Sequence, residues 1–189
     1  GYVYLQVTRG AYGARDFIAP DVPRLTTFLF AEKRALIDTP AARNGSKIVA
    51  LPDIRWARRD IKSVGLLAQA MAKTEAKARG ADDAWLVAPD GFVTEGASSN
   101  AWIVTRNGEI ITRALSNMIL AGVTRHALFD ALKQRGVRIT ERSFTLEEAK
   151  EAAEAFTTAA TGLVTPVVAI DGVALSDGKP GPVTRRVQK

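Results

Sequence analysis

The chain has 189 residues, 47% hydrophobic and 24% charged, enough to bury one sizeable core and too apolar for a disordered tail. It has no cysteine and a single histidine, His126, which excludes a disulfide framework and leaves no metal site expected. The net charge is +6, yet the basic residues are scattered and aromatics are only 7%, so the excess fits an anionic small molecule better than nucleic acid. No run reaches the roughly 18 apolar residues of a membrane span and no signal-peptide pattern is visible, so no membrane partner is expected, and the thiol-free composition fits the cytoplasm.

In chain order, "YVYLQVT" alternates as a strand, and the absence of an initiator methionine reads as part of a longer protein. "AARNG" supplies a turn before the strand "SKIVAL". Ser63 to Arg79 has helical periodicity, with Val64, Leu67, Ala68, Met71 and Ala72 on one face and Gly80 as the stop. Two hairpins follow, "AWLVAPDGFVTEG" and "AWIVTRNGEIITR", turning at Asp90-Gly91 and Asn107-Gly108. "GVTRHALFDALKQRG" is a helix between glycines, and "VRITERSF" a strand. "TLEEAKEAAEAF" reads as a helix opened by a Thr145/Glu148 capping box. Strands surround Asp171-Gly172 in "GLVTPVVAIDGVAL", and "SDGKPGPVTRRVQK" reads as a loop. The pattern is mixed α/β with much antiparallel sheet and without a Gly-rich dinucleotide fingerprint.

Four segments carry candidate chemistry: "DIKS" with Lys62, "VTEGASSN" with Glu95, "LSNMILAGVTRHAL" with Gly122 to Thr124 opening a helix, and "TTAATGLVTPV" between a helix and a strand. Singly, each has an ordinary reading: a solvated lysine, a turn acid, a bare helix start, a threonine-rich loop. Together, an imine-forming lysine, a buried carboxylate and two amide-lined phosphate cradles are the parts that hold pyridoxal 5'-phosphate.

The ordered set "DIKS", "VTEGASSN", "LAGVTR", "FTLEEA", "VTPVV", "IDG" and "GKPGPVTRR" resembles the class IV, fold-type IV, pyridoxal-phosphate-dependent aminotransferases over nearly the whole chain, the D-amino acid branch most. The resemblance implies an α/β fold whose mixed sheets form a pseudo-barrel with flanking helices. It implies residues 1–189 as one large cofactor-binding domain, a small N-terminal domain outside this chain, and a homodimer. It makes Lys62 the Schiff-base lysine and proton shuttle, and Glu95 the acid on the pyridine nitrogen. Leu120 would pack on the cofactor ring, Val123 and Thr124 bind its phosphate, and Ser98, Ser99 and Arg55 lie near it.

Two departures from the family pattern stand out. Ala159 and Ala160 occupy positions where a hydroxyl usually meets the phosphate, leaving backbone amides or Thr161. "ARDFIAP" aligns Arg15 with the arginine that holds the substrate α-carboxylate, but Phe17 takes the place of its histidine partner, and Arg24 is a further arginine in the loop. The substrates implied are D-amino acids and 2-oxo acids. "EGASSNAW" favours this branch over the "GSGEN"-like run of branched-chain aminotransferases, with (R)-amine transaminase, aminodeoxychorismate lyase or a non-catalytic fragment as alternatives.

Overall fold

The computed structural model describes residues 1–13 and 16–189. Their contacts divide into two compact units, Gly1–Leu36 and Ile37–Lys189.

The first unit is an antiparallel hairpin of β1 (Tyr2–Thr8) and β2 (Thr26–Glu32), with Tyr4 opposite Phe30. Because side chains alternate, Tyr2, Tyr4, Phe28 and Phe30 share one face and Val3, Leu5, Val7 and Leu29 the other. The Tyr4 and Phe30 rings stack at 5.2 Å. β2 has no turn dipeptide in front of it, and its pairing closes a long loop, which is why periodicity alone does not single it out.

The second unit begins with α1 (Pro40–Asn44), where a bare turn is expected from "AARNG". Thr39 caps it through Ala42 N, Pro40 supplies a fixed φ at the first position, and Gly45 ends it at φ 81°. β3 (Ser46–Pro52), α2 (Leu67–Ala78), β4 (Asp83–Val87), β5 (Val93–Gly96), β6 (Asn100–Val104) and β7 (Ile110–Thr112) follow. After α3 (Val123–Gln134) come β8 (Ile139–Glu141), α4 (Leu146–Glu151), β9 (Glu154–Ala159), β10 (Leu163–Ile170), β11 (Val173–Ala174) and α5 (Pro182–Val187).

β3 to β11 make one sheet of nine strands in the order β5-β4-β3-β10-β9-β6-β7-β8, with β11 on β10. β3 runs parallel to β4 and β10, and β7 parallel to β8, while the other pairs are antiparallel. The sheet curls until its edges meet: Val93 N donates to Phe144 O at 3.0 Å, and Phe92 bridges Thr145. This is the pseudo-barrel implied by the resemblance. Trp85, Ile103, Ile111, Phe144 and Ile170 form one core cluster, and α2 and α3 cover two others.

Three further expectations change. α2 starts at Leu67, not Ser63, because Ser63 Oγ accepts Gly65 N in a tight turn instead of capping the helix. Its buried face is Ala72 and Ala76, whereas Leu67 and Met71 are 75% and 53% exposed. Alanines let the helix backbone approach the sheet, so the larger side chains are turned outward.

α4 is half the length expected. Thr145 Oγ does accept Glu148 N, but the Glu148 carboxylate pairs with Arg142, so only one arm of the capping box forms. Beyond Glu151 the chain becomes β9, because Ala155 and Phe156 fill central positions between β6 and β10.

The C-terminal segment, read as a loop, contains α5. Pro182 opens this helix, and the buried Glu154 carboxylate accepts from Val183 N (2.9 Å) and Thr184 N (2.7 Å). Glu154→Ala strips these amides of their acceptor and is expected to cost about 1–3 kcal/mol, read as a lower urea midpoint at unchanged m-value.

Candidate active site

β3 ends at Pro52, and the next residue, Asp53, is tied to the sheet by its N–H on Val87 O at 2.8 Å. Its carboxylate meets Arg55 at two points, Nε to Oδ1 (2.9 Å) and Nη2 to Oδ2 (2.8 Å), and accepts Thr94 Oγ1 at 2.7 Å. The same guanidinium reaches across to β5, where Arg55 Nη1 donates to Glu95 Oε1 at 2.5 Å. Arg59 adds a second cation, with Nε 3.1 Å from Asp53 Oδ2 but not aligned for a hydrogen bond.

Glu95 is 4% exposed and is held from two further directions. Asn100 Nδ2, at the start of β6, donates to Oε2 at 2.9 Å, and Leu120 N donates to both carboxylate oxygens at 3.1 and 3.2 Å. Burial pushes the Glu95 carboxyl above the ordinary glutamate value, and Arg55 only partly offsets it. Asp53 behaves oppositely: burial works against its ionisation, but the Arg55 and Thr94 hydrogen bonds outweigh it and hold the carboxyl low. Arg55, buried but between two carboxylates, is held above its usual value.

Asn100 also ties the acid to the start of α3. Its Nδ2 donates to Leu120 O at 2.9 Å, and its Oδ1 would lie 2.2 Å from a Cβ built on Gly122. Gly122 caps α3 without a side-chain hydrogen bond, leaving the Val123 and Thr124 amides at an open helix start. Asn100 pairs with Thr158 in β9, so the end of β9 reaches the same edge as the α3 start. The "TTAATG" segment is therefore a strand and turn, not a second helix start: Ala159 closes β9 and Ala160 lies in the turn to β10.

The loop carrying Lys62 is fastened to the loop before α3. Arg59 N donates to Asn117 O (2.9 Å) and Asn117 Nδ2 to Ala57 O (3.1 Å). Lys62 itself lies ten residues beyond β3 and five before α2, in an exposed loop, so the desolvated strand-to-helix junction considered for it is not what this chain presents. Ser98 and Val123 are exposed as well, while Ser99 Oγ is enclosed without a hydrogen-bond partner among the described residues.

A family model for amino-transferase class IV matches residues 1–170. The chain belongs to the class IV aminotransferases. The D-alanine aminotransferase of Listeria monocytogenes serotype 1/2a (strain 10403S) is 38% identical over 193 residues, covering 100% of this chain and 65% of the relative. Among solved structures, the Escherichia coli branched-chain amino acid aminotransferase superposes with a TM-score of 0.86 at 24% identity, covering 98% of this chain and 62% of that one. The T.th. branched-chain amino acid aminotransferase complexed with N-(5'-phosphopyridoxyl)-L-glutamate is 30% identical with a TM-score of 0.69, over 76% of this chain and 50% of that one. The chain thus spans about 65% of the length of the curated relative it matches.

The residues of this class IV aminotransferase fit a phosphorylated pyridine. Glu95 is a buried carboxylate held in one orientation by Arg55, Asn100 and Leu120 N, the last shared between its two oxygens, and such a fixed negative charge suits a ring N–H. Among the described residues the enclosed Ser99 hydroxyl has no hydrogen-bond partner, and the open start of α3 suits an anion. Of the expected residues, Arg55, Glu95 and Leu120 are joined by hydrogen bonds, and Val123 and Thr124 follow directly from Gly122. Lys62 and Ser98 make no hydrogen bond or ion pair with that cluster among the described residues, and Arg15 lies outside the described residues. Phe17 is 90% exposed, its N–H on Asp16 Oδ1 at 2.6 Å.

Asp53, Asn100 and Asn117 escaped the sequence reading. For Asp53 the available signal was an acid two residues before an arginine at a strand end. Gly122→Ala is expected to push Asn100 off Leu120 and Glu95, weakening retention of pyridoxal phosphate about tenfold, as followed by equilibrium dialysis.

Proposed function

We propose that this chain binds pyridoxal 5'-phosphate and, in the whole protein, exchanges the amino group between a D-amino acid and a 2-oxo acid. The observation that carries the reading is Glu95: a buried carboxylate, fixed in one orientation by Arg55, Asn100 and a backbone amide shared between its two oxygens. The match to D-alanine aminotransferases over the full chain supports the substrate class.

Pyridoxal phosphate, when bound, supplies an aldehyde that condenses with amines and a ring that accepts the electron pair left by the departing α-proton. Glu95 keeps the ring nitrogen protonated, and the Arg55 and Asn100 contacts stop its carboxylate from turning away. The Val123 and Thr124 amides, with the Thr124 hydroxyl, take the phosphate, and the backbone at Ala159 and Ala160 contributes from the end of β9. Leu120 packs on the ring, and Ser98 and Ser99 line its surroundings. Lys62 would hold the cofactor through its Nζ and carry the substrate α-proton as general base and then acid. Arg15 is assigned the substrate α-carboxylate.

The active assembly is a homodimer in the cytoplasm. Trp56, Ile61, Val64, Leu66, Leu67 and Met71 remain between 43% and 75% exposed, an apolar set suited to a second copy. Among the described residues no helix is long and apolar enough to cross a membrane.

A branched-chain specificity is the second reading, favoured by the 30% identity to the T.th. branched-chain enzyme. The full-length gene product, assayed with D-alanine, L-leucine and an (R)-amine against pyruvate and 2-oxoglutarate, separates the two. Turnover of D-alanine well above L-leucine is expected, and the reverse order establishes the branched-chain reading.

A further inference from the structure

The buried charge beside the site is not a simple pair. Arg55, 6% exposed at its side chain, lies between Glu95, 2.5 Å away, and Asp53, whose side chain is fully enclosed. If Glu95 alone met the guanidinium, the ion pair would satisfy Glu95 and leave it a poor acceptor for another cation. Asp53 prevents this by engaging Nε and Nη2, the edge of the guanidinium away from Nη1, with two hydrogen bonds at 2.9 and 2.8 Å. Thr94 Oγ1 fixes the Asp53 carboxylate at 2.7 Å, and Arg59 Nε lies 3.1 Å from it. The remaining groups facing Glu95, Asn100 Nδ2 from β6 and the Leu120 amide before α3, are uncharged.

We propose that Asp53 is a positioning residue: by taking up the Arg55 guanidinium from behind, it leaves Glu95 a strong enough acceptor to hold a protonated ring nitrogen. The inference rests on the assignment of Glu95 to the cofactor ring. The Asp53 charge also acts on Glu95 directly, raising its proton affinity. Since ionised Asp53 and Glu95 balance the Arg55 and Arg59 cations, removing the Asp53 charge leaves one excess buried cation next to Glu95.

The test uses full-length holoenzyme loaded with pyridoxal phosphate labelled with ¹⁵N in the ring, following the ¹⁵N chemical shift against pH. Asp53→Asn is expected to retain the cofactor, to lower the pH midpoint of ring-nitrogen protonation by about one unit, and to lower kcat about tenfold with KM within about threefold. Asp53→Glu, which keeps the charge, is expected to restore most of the midpoint. In a Glu95→Gln background, Asp53→Asn is expected to change neither quantity further, because its effect passes through Glu95.

If Asp53→Asn does not fold, the Asp53→Asn/Arg55→Gln pair removes both charges together, a change buried pairs tolerate better. The midpoint is then expected to rise, and a fall overturns the proposal. An unchanged midpoint in folded Asp53→Asn, or an undiminished effect of that change without Glu95, also overturns it. A wild-type protein that takes up no cofactor overturns the functional reading along with it, whereas a loaded wild type with an indifferent Asp53→Asn overturns only the role of Asp53.

Discussion

Lys62→Ala is expected to lower transamination about a thousandfold or more, while the chain folds as before. Proton transfer by a positioned group contributes roughly 10²–10⁴-fold, and this lysine is assigned both that transfer and the covalent attachment. The fold is expected to be indifferent, because Lys62 is exposed and belongs to no core cluster. Borohydride reduction of the wild-type holoenzyme should fix the cofactor mass on the peptide containing Lys62, and Lys62→Ala should take up no label. Label on another lysine removes Lys62 from the site. Added methylamine should recover part of the Lys62→Ala rate, since a small free amine can carry the proton the side chain no longer moves.

Glu95→Gln is expected to retain the cofactor on Lys62 yet lower kcat about a hundredfold. A neutral amide cannot hold the ring nitrogen protonated, so the ring loses most of its pull on the electron pair at the substrate carbon. The substitution also strains the local network. Glu95 accepts at both oxygens, and an amide NH₂ placed at Oε2 would face the Asn100 Nδ2 donor at 2.9 Å. Setting donor against donor in a site 4% exposed costs about 1–3 kcal/mol. Rate and thermal stability are therefore expected to fall together, whereas Lys62→Ala lowers the rate alone. Near wild-type turnover in Glu95→Gln would show that the ring nitrogen is paired elsewhere.

The sequence by itself determined the elements whose signals are local. Asp90-Gly91, Asn107-Gly108 and Asp171-Gly172 turn where expected because positive φ favours these residues: Gly91, Gly108 and Gly172 adopt 83°, 81° and 79°. α3 runs from Val123 to Gln134, and Gly136 stops it at φ 69° for the same reason. The motif order also carried the family.

Tertiary structure decided what depends on a neighbour distant in sequence. Phe156 continues a helical pattern on paper, yet stacking on Trp102 at 5.4 Å between two strands makes it β9. α2 offers two apolar stripes, and only the sheet beneath selects Ala72 and Ala76 over Leu67 and Met71. α5 exists because Glu154, some 30 residues earlier, accepts its first amides. The charge network around Arg55 was hidden for the same reason. Asp53 and Arg55 sit two residues apart, but Glu95 is 40 positions from Arg55, and only the placing of β5 beside β4 and β3 brings its carboxylate onto the same guanidinium. Burial then turns these three ordinary charges into one coupled unit, since low-dielectric surroundings strengthen every interaction among them.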